Sequence, residues 1–141
     1  MNYWIMKSEP DVFSIDQLEK LKTATWDGVR NYQVRNMFRD DMKIGDMACF
    51  YHSSCELIGI AGLMKITSKA YPDPTFKEEK NPWLALDVEF IAKFPKIISR
   101  KDLQATYKLK NLRILEKGCR LSVTKISSQE FEIIKNLNVV M

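Results

Sequence analysis

Residues 47–67 read MACFYHSSCELIGIAGLMKIT. Two apolar runs, Met47 to His52 and Leu57 to Thr67, stand on either side of a short polar connection, Ser53 to Glu56. Short apolar runs bounded by turn residues predict two strands. Gly59 and Gly62 inside the second run predict a bulge or a place where another backbone comes close. Ile44-Gly45-Asp46 reads as the turn that opens the pair.

Working outward, Asn2 to Met6 is short, apolar and aromatic, and predicts a first strand ending at Lys7-Ser8-Glu9-Pro10, because Pro10 disfavours helix at Glu9. Ser14-Ile15-Asp16-Gln17 is a capping box, so a helix is expected over 14–22. Trp26-Asp27-Gly28 reads as a turn. Asn31 to Asp41 predicts a second helix, with Val34, Met37 and Phe38 on one side. Downstream, Tyr71-Pro72-Asp73-Pro74-Thr75 is expected to be irregular, within an exposed loop reaching Pro82. Trp83 to Phe94 predicts a long strand, Ser99 to Tyr107 a short helix and Arg120 to Ile126 a late strand. Ser127-Ser128-Gln129-Glu130 is a second capping box, opening a helix through Leu137. Strands fill the middle and helices sit toward both ends. The expected class is α+β, a single domain over 1–141 with a small curved sheet or barrel flanked by helices, rather than alternating βαβ units.

Composition narrows the chemistry. The 141 residues include 22 Lys+Arg and 18 Asp+Glu, one His and three Cys, for a net charge of +4. This surplus permits nucleic-acid binding without establishing it. One His excludes a multi-histidine metal site, and Cys49, Cys55 and Cys119 form no CxxC pair, so no metal and no cofactor are expected. Reduced thiols fit an intracellular compartment, cytoplasmic, or nuclear in a eukaryote. The longest apolar stretch, Leu57 to Met64, falls far below the ~20 residues of a membrane span, and MNYWIMKSEPD lacks the pattern of a signal peptide. There is no Walker A loop, GxGxxG or GxSxG motif.

Four polar-aromatic clusters remain. Lys7-Ser8-Glu9-Pro10 fixes an amine, a hydroxyl and a carboxylate at a strand edge, although such a turn is more often only structural. In Trp26-Asp27-Gly28-Val29-Arg30-Asn31, a flat apolar face lies beside a guanidinium fork, which suits a planar base with a phosphate. A core Trp followed by a helix cap explains the same residues equally well. Tyr51-His52-Ser53 after Phe50 forms a strand end suited to lining a pocket; a catalytic His52 needs an orienting partner and a nucleophile that no motif supplies. Arg120-Leu121-Ser122 opens the late strand, and the Tyr71-Pro72-Asp73-Pro74 loop is a candidate rim.

Taken in order, Tyr3 to Pro10, Trp26 to Gln33, Arg35-Asn36, Gly45-Asp46, Phe50 to Ser53, Tyr71-Pro72-Asp73 and Arg120 to Val123 closely resemble the EVE domain family over essentially the whole chain. The resemblance implies a PUA-like bent β-barrel flanked by helices, related to YTH and ASCH domains. It also implies a non-catalytic nucleic-acid reader whose partner is DNA or RNA carrying a modified base, without membrane or metal. Pocket roles carry over to Lys7, Ser8, Glu9 and Pro10, to Trp26, Val29, Arg30 and Asn31, to Tyr51, His52 and Ser53, and to Arg120 and Ser122. Physically, a stacking aromatic returns ~1–3 kcal/mol to a base that leaves its stack. Trp26, Val29 and Pro10 are expected to wall a methyl group, and Lys7, Arg30, Arg35 and Arg120 to meet phosphates. Two other readings stay open: an enzyme acting on a modified nucleotide or base through His52 with Glu9 or a Ser, and a small-molecule or protein-interaction module.

Overall fold

The protein is described here by a computed structural model covering residues 1–140, with side chains described through Asn138. The elements run β1 (Tyr3–Ser8), α1 (Ile15–Leu21), β2 (Thr23–Trp26), α2 (Tyr32–Asp40), β3 (Met47–His52), β4 (Gly59–Ile66), β5 (Tyr71–Pro72), β6 (Leu84–Ser99), α3 (Arg100–Ala105), β7 (Val123–Ile126) and α4 (Ser128–Val140). Two 3-10 turns, Tyr107–Leu109 and Arg113–Leu115, lie between α3 and β7. The strand order is β2-β6-β4-β3-β1-β7, with β5 added beside β6. β1 pairs parallel with β3 and antiparallel with β7.

β1 and β2 are separated in that order by three strands, yet residues of both line one cavity. The sheet must therefore curl. Its devices are visible in the register: β4 slips against β3 at Phe50/Tyr51, and against β6 between Ile60 and Gly62 and again between Leu63 and Met64. Such irregularities bend a strand and raise its twist. Of the two glycines anticipated in β4, Gly62 flanks a slip and Gly59 opens the strand, and at both another backbone comes close. A Cβ on Gly59 would lie 2.2 Å from the Ile98 carbonyl oxygen, and one on Gly62 would lie 2.3 Å from that of Ala92.

Curling produces two apolar layers. The inner one gathers Trp4 and Met6 of β1, Ala48 and Phe50 of β3, Met64 and Ile66 of β4, Leu86 and Val88 of β6 and Trp26 of β2. Ile15 and Leu18 of α1 and Val34 and Phe38 of α2 cap it. The outer layer holds Ile5, Cys49, Tyr51, Ile60 and Ile98 under Leu103, Leu109, Leu112, Ile114, Phe131 and Ile134. Period-two alternation explains the split: neighbours on one strand face opposite sides of the sheet.

Both capping boxes form: Ser14 Oγ accepts the Gln17 amide while Gln17 Oε1 accepts the Ser14 amide, and Ser127 and Glu130 reciprocate in the same way. Several expectations are corrected. β1 continues through Lys7 and Ser8, because the Ser122 and β3 backbones supply partners up to the turn. Thr23–Trp26, of which the sequence reading covers only Trp26 and as part of a turn, is a strand, since the open edge of β6 accepts it from Thr23↔Glu89 to Trp26↔Leu86. Tyr71-Pro72 is not wholly irregular; it pairs with Leu84 and Ala85 at a sheet edge, where a proline's missing N–H costs nothing. The late strand starts at Val123 rather than Arg120. β6 runs five residues beyond Phe94, to Ser99.

Candidate functional site

At the ends of β1 and β2 the curled sheet leaves a cavity of about 270 Å³ lined by Lys7, Ser8, Val12, Phe13, Thr25, Trp26 and Asp27. It is built by local chemistry on both sides. After β1, the Glu9 carbonyl accepts the Val12 and Phe13 amides at 2.9 Å each, and Ser8 Oγ donates to the Phe13 carbonyl at 2.6 Å. These bonds close the turn that Pro10 begins and set Phe13 over the cavity. Phe13 meets Trp26 edge-on (6.4 Å, 82°), and Trp26 meets Phe50 edge-on (5.5 Å, 78°). Edge-to-face contacts of this kind hold a ring in one orientation. Trp26 is only 7% exposed, so it serves core and cavity together.

The other wall depends on Gly28 and Asp73. Gly28 adopts φ +80, a left-handed conformation that favours glycine, and its N–H donates to Asp73 Oδ2 at 2.8 Å. The Asp73 side chain is fully buried and also accepts from Arg30 Nη1 (3.0 Å), the Thr75 amide (2.7 Å) and the Thr75 hydroxyl (2.6 Å). Burial alone would raise its carboxyl, but the bonds from Thr75, Gly28 and Arg30 outweigh it and hold the pKa at about 2. Asp27, at the mouth, behaves oppositely. Burial and then the neighbouring Asp73 charge raise its carboxyl above the usual range, with Arg30 opposing.

Of the residues anticipated from sequence, Lys7, Ser8 and Trp26 line the cavity. Ser53 and Ser122 abut it through backbone: the Ser53 amide donates to the Ser8 carbonyl (3.0 Å), and the Lys7 amide donates to the Ser122 carbonyl (2.8 Å). Glu9 and Pro10 form the turn above it. His52 lies opposite Ser8 in the β1–β3 register; its Nε2 accepts the Ile15 amide at 3.2 Å, and its ring stands edge-on to Phe50. Burial lowers the His52 pKa, Asp16 opposing, and the Ile15 amide occupies the Nε2 lone pair.

Other residues lie apart from the cavity. Tyr51 points into the outer layer, with its hydroxyl 3.5 Å from Arg100 Nη1. Val29 is inner core. Asn31 caps α2 by accepting the Val34 amide at 3.1 Å. The Arg30 fork donates to Val29, Asp73 and Thr75 between the rings of Phe76 (5.4 Å) and Trp83 (5.7 Å). Arg120 is exposed. Sequence reasoning missed Val12, Phe13, Thr25 and Asp27 as lining residues, Asp27 reading only as a turn residue. Phe13 had one signal: it immediately precedes the Ser14 cap, where an apolar residue commonly fixes the chain's entry into a helix. Among the described residues, no group of three or more His, Cys, Asp or Glu side chains is placed to hold a metal ion, and no helix is long and apolar enough to cross a membrane.

The same architecture recurs in known proteins. A protein from Pseudomonas putida solved by X-ray crystallography is 44% identical with a TM-score of 0.91, covering 96% of this chain and 99% of its own. Human THYN1, solved in complex with DNA containing 5-methylcytosine, is 37% identical with a TM-score of 0.87, covering 98% of each chain. Mouse thymocyte nuclear protein 1 is 39% identical across 96% of this chain and 73% of its own length. Their shared α+β architecture is the PUA-like one expected above. A family model described as EVE domain matches residues 2–137, and on that extent the chain belongs to the EVE domain family.

Proposed function

We propose that residues 1–141 act as one domain that binds DNA without catalysis and holds a single modified base, 5-methylcytosine or a close relative, in the cavity between β1 and β2. The observation that carries this reading is the meeting of Trp26 and Phe13 with Lys7, Ser8 and Asp27 in one space of about 270 Å³. That volume lies just under the ~300–1,000 Å³ of pockets for drug-sized ligands and suits one planar heterocycle. The rings provide an apolar face for stacking. Lys7 supplies a donor and Asp27 an acceptor at the edge. A carboxylate accepts an exocyclic amino group well. It meets an imide N–H poorly, because that donor sits between two carbonyl oxygens. Asp27 therefore favours cytosine over thymine. The human relative solved with 5-methylcytosine DNA supports the same class of ligand.

A hydrolytic role through His52 lacks geometry. A general base needs a free lone pair within reach of its proton, and the Ile15 amide occupies Nε2. Glu9 is exposed on the turn.

The test is binding of matched oligonucleotides carrying cytosine, 5-methylcytosine or thymine at one position, as DNA and as RNA. Tightest binding to 5-methylcytosine DNA is expected, and Asp27→Asn should narrow the preference for 5-methylcytosine over thymine, which share the methyl group. Equal affinity for all three bases overturns the reading; tighter RNA binding moves it to modified RNA.

A further inference from the structure

The chain's positive surplus is not spread evenly. Residues 100–120 carry seven Lys+Arg and two Asp+Glu, against fifteen and sixteen in the rest of the chain. The whole excess therefore lies in the segment that crosses the outer face of the sheet. Its folding turns the charges outward. Leu109, Leu112 and Ile114 are buried in the outer layer, so the residues between them face water, and Lys108, Lys110 and Arg113 are exposed. Arg100 fastens the segment from beneath by donating to the Ile114 carbonyl (2.8 Å) and the Leu115 carbonyl (3.4 Å). Gly118, at φ +79, then turns the chain back through exposed Arg120 toward Ser122. The Ser122 carbonyl accepts the amide of Lys7, a cavity residue. Lys101, Lys108, Lys110, Arg113, Lys117 and Arg120 have no carboxylate within 4.0 Å among the described residues. Midway, Tyr107 is 76% exposed with Lys110 Nζ 4.3 Å from its ring centroid, a pairing suited to a base or sugar lying beside phosphates.

We propose that residues 101–120 form a strap that binds the phosphate backbone flanking the base held in the cavity. The inference rests on the reading above for the position of that base. The strap supplies affinity without sequence information, while the cavity supplies the choice of base. Mutual repulsion among six unpaired cations is relieved when they meet phosphates, and each contact releases a condensed counterion.

The experiment compares the wild type with a K110Q/R113Q/K117Q variant on one 5-methylcytosine DNA duplex and its cytosine counterpart, from about 50 to 200 mM salt. None of the three side chains is buried or ion-paired, and unchanged melting confirms the fold. The proposal expects affinity for both DNAs to fall together by about tenfold or more. It also expects the log–log salt slope to flatten by about two to three, with the methylated-to-unmethylated ratio unchanged. Unchanged affinity and slope overturn it and leave the strap to an acidic protein. If the wild type shows no base preference but the variant still loses affinity and slope, the strap stands and the base-reading function fails. If the wild type binds neither DNA, both fail.

Discussion

The Asp73 carboxylate accepts the Gly28 amide at 2.8 Å, joining the loop after β5 to the turn after β2. The same carboxylate holds Arg30 and Thr75. Asp73→Ala should therefore cost ~2–4 kcal/mol in denaturant unfolding, because several donors lose one buried acceptor. Asp73→Asn, which keeps an acceptor, should cost less. The Asp73 pKa lies below its unfolded value. Its contribution is accordingly present above pH 4 and is lost as pH falls toward about 2. Acid titration of the wild type and Asp73→Asn checks this, with the variant expected to show the shallower loss in that window.

His52 predicts a second pH dependence at higher pH. Its folded pKa is depressed, so the unfolded imidazole takes a proton first, near pH ~6.5. Stability is fully present above that pH and declines as pH falls below it. Protonation also removes the lone pair that accepts the Ile15 amide. His52→Gln keeps an acceptor and removes the titration. Between pH 7.5 and 5.5 its melting temperature should fall less than that of the wild type. Parallel curves would show that His52 is not the titrating group.

Trp26 requires two substitutions to separate its roles. Trp26→Ala removes inner-layer packing and should cost ~3–5 kcal/mol of stability. Trp26→Phe keeps an aromatic face and most of the packing. It should remain folded and lose binding to a modified oligonucleotide by less than the ~5- to 150-fold that complete loss of a stacking face implies. Undiminished binding by a folded Trp26→Leu would show that the ring is core alone.

Gly62 tests the curvature. A Cβ there meets the Ala92 carbonyl oxygen at 2.3 Å and Ile15 Cδ1 at 2.9 Å. Gly62→Ala should destabilise by about 1–3 kcal/mol or more, the scale of overpacking in a tight core. Loss of oligonucleotide binding below the melting transition would tie the bulge to the cavity it shapes.

Local signals fixed much of this in advance. The Ser14 and Ser127 caps, the Asn31 cap and the β4 glycines act within a few residues, so their sequence patterns suffice. β2 and the paired Tyr71-Pro72 were hidden because they exist only against β6, whose bent path depends on remote contacts. The site divided in the same way. Ser8 and Trp26 end their strands and, with Lys7, line the cavity. Tyr51 and Arg30 also lie in the quoted motifs but pack elsewhere, Tyr51 in the outer layer and Arg30 against a carboxylate 43 residues away. That distant partner was visible in sequence only as part of a proline-bounded loop.

The place of β1 between β3 and β7 has a consequence for the chain as it emerges from the ribosome. Of the strands in this sheet, β1 is made before all the others and waits for β7, which is made after them, since Tyr3 pairs with Ile126 and the Lys7 amide with Ser122. Until then β1 presents a free edge, a template for unwanted pairing with another nascent chain. Protection of that edge and completion of the cavity wall arrive in the same closing step. A partly made chain is exposed to aggregation for as long as it is unable to read a base.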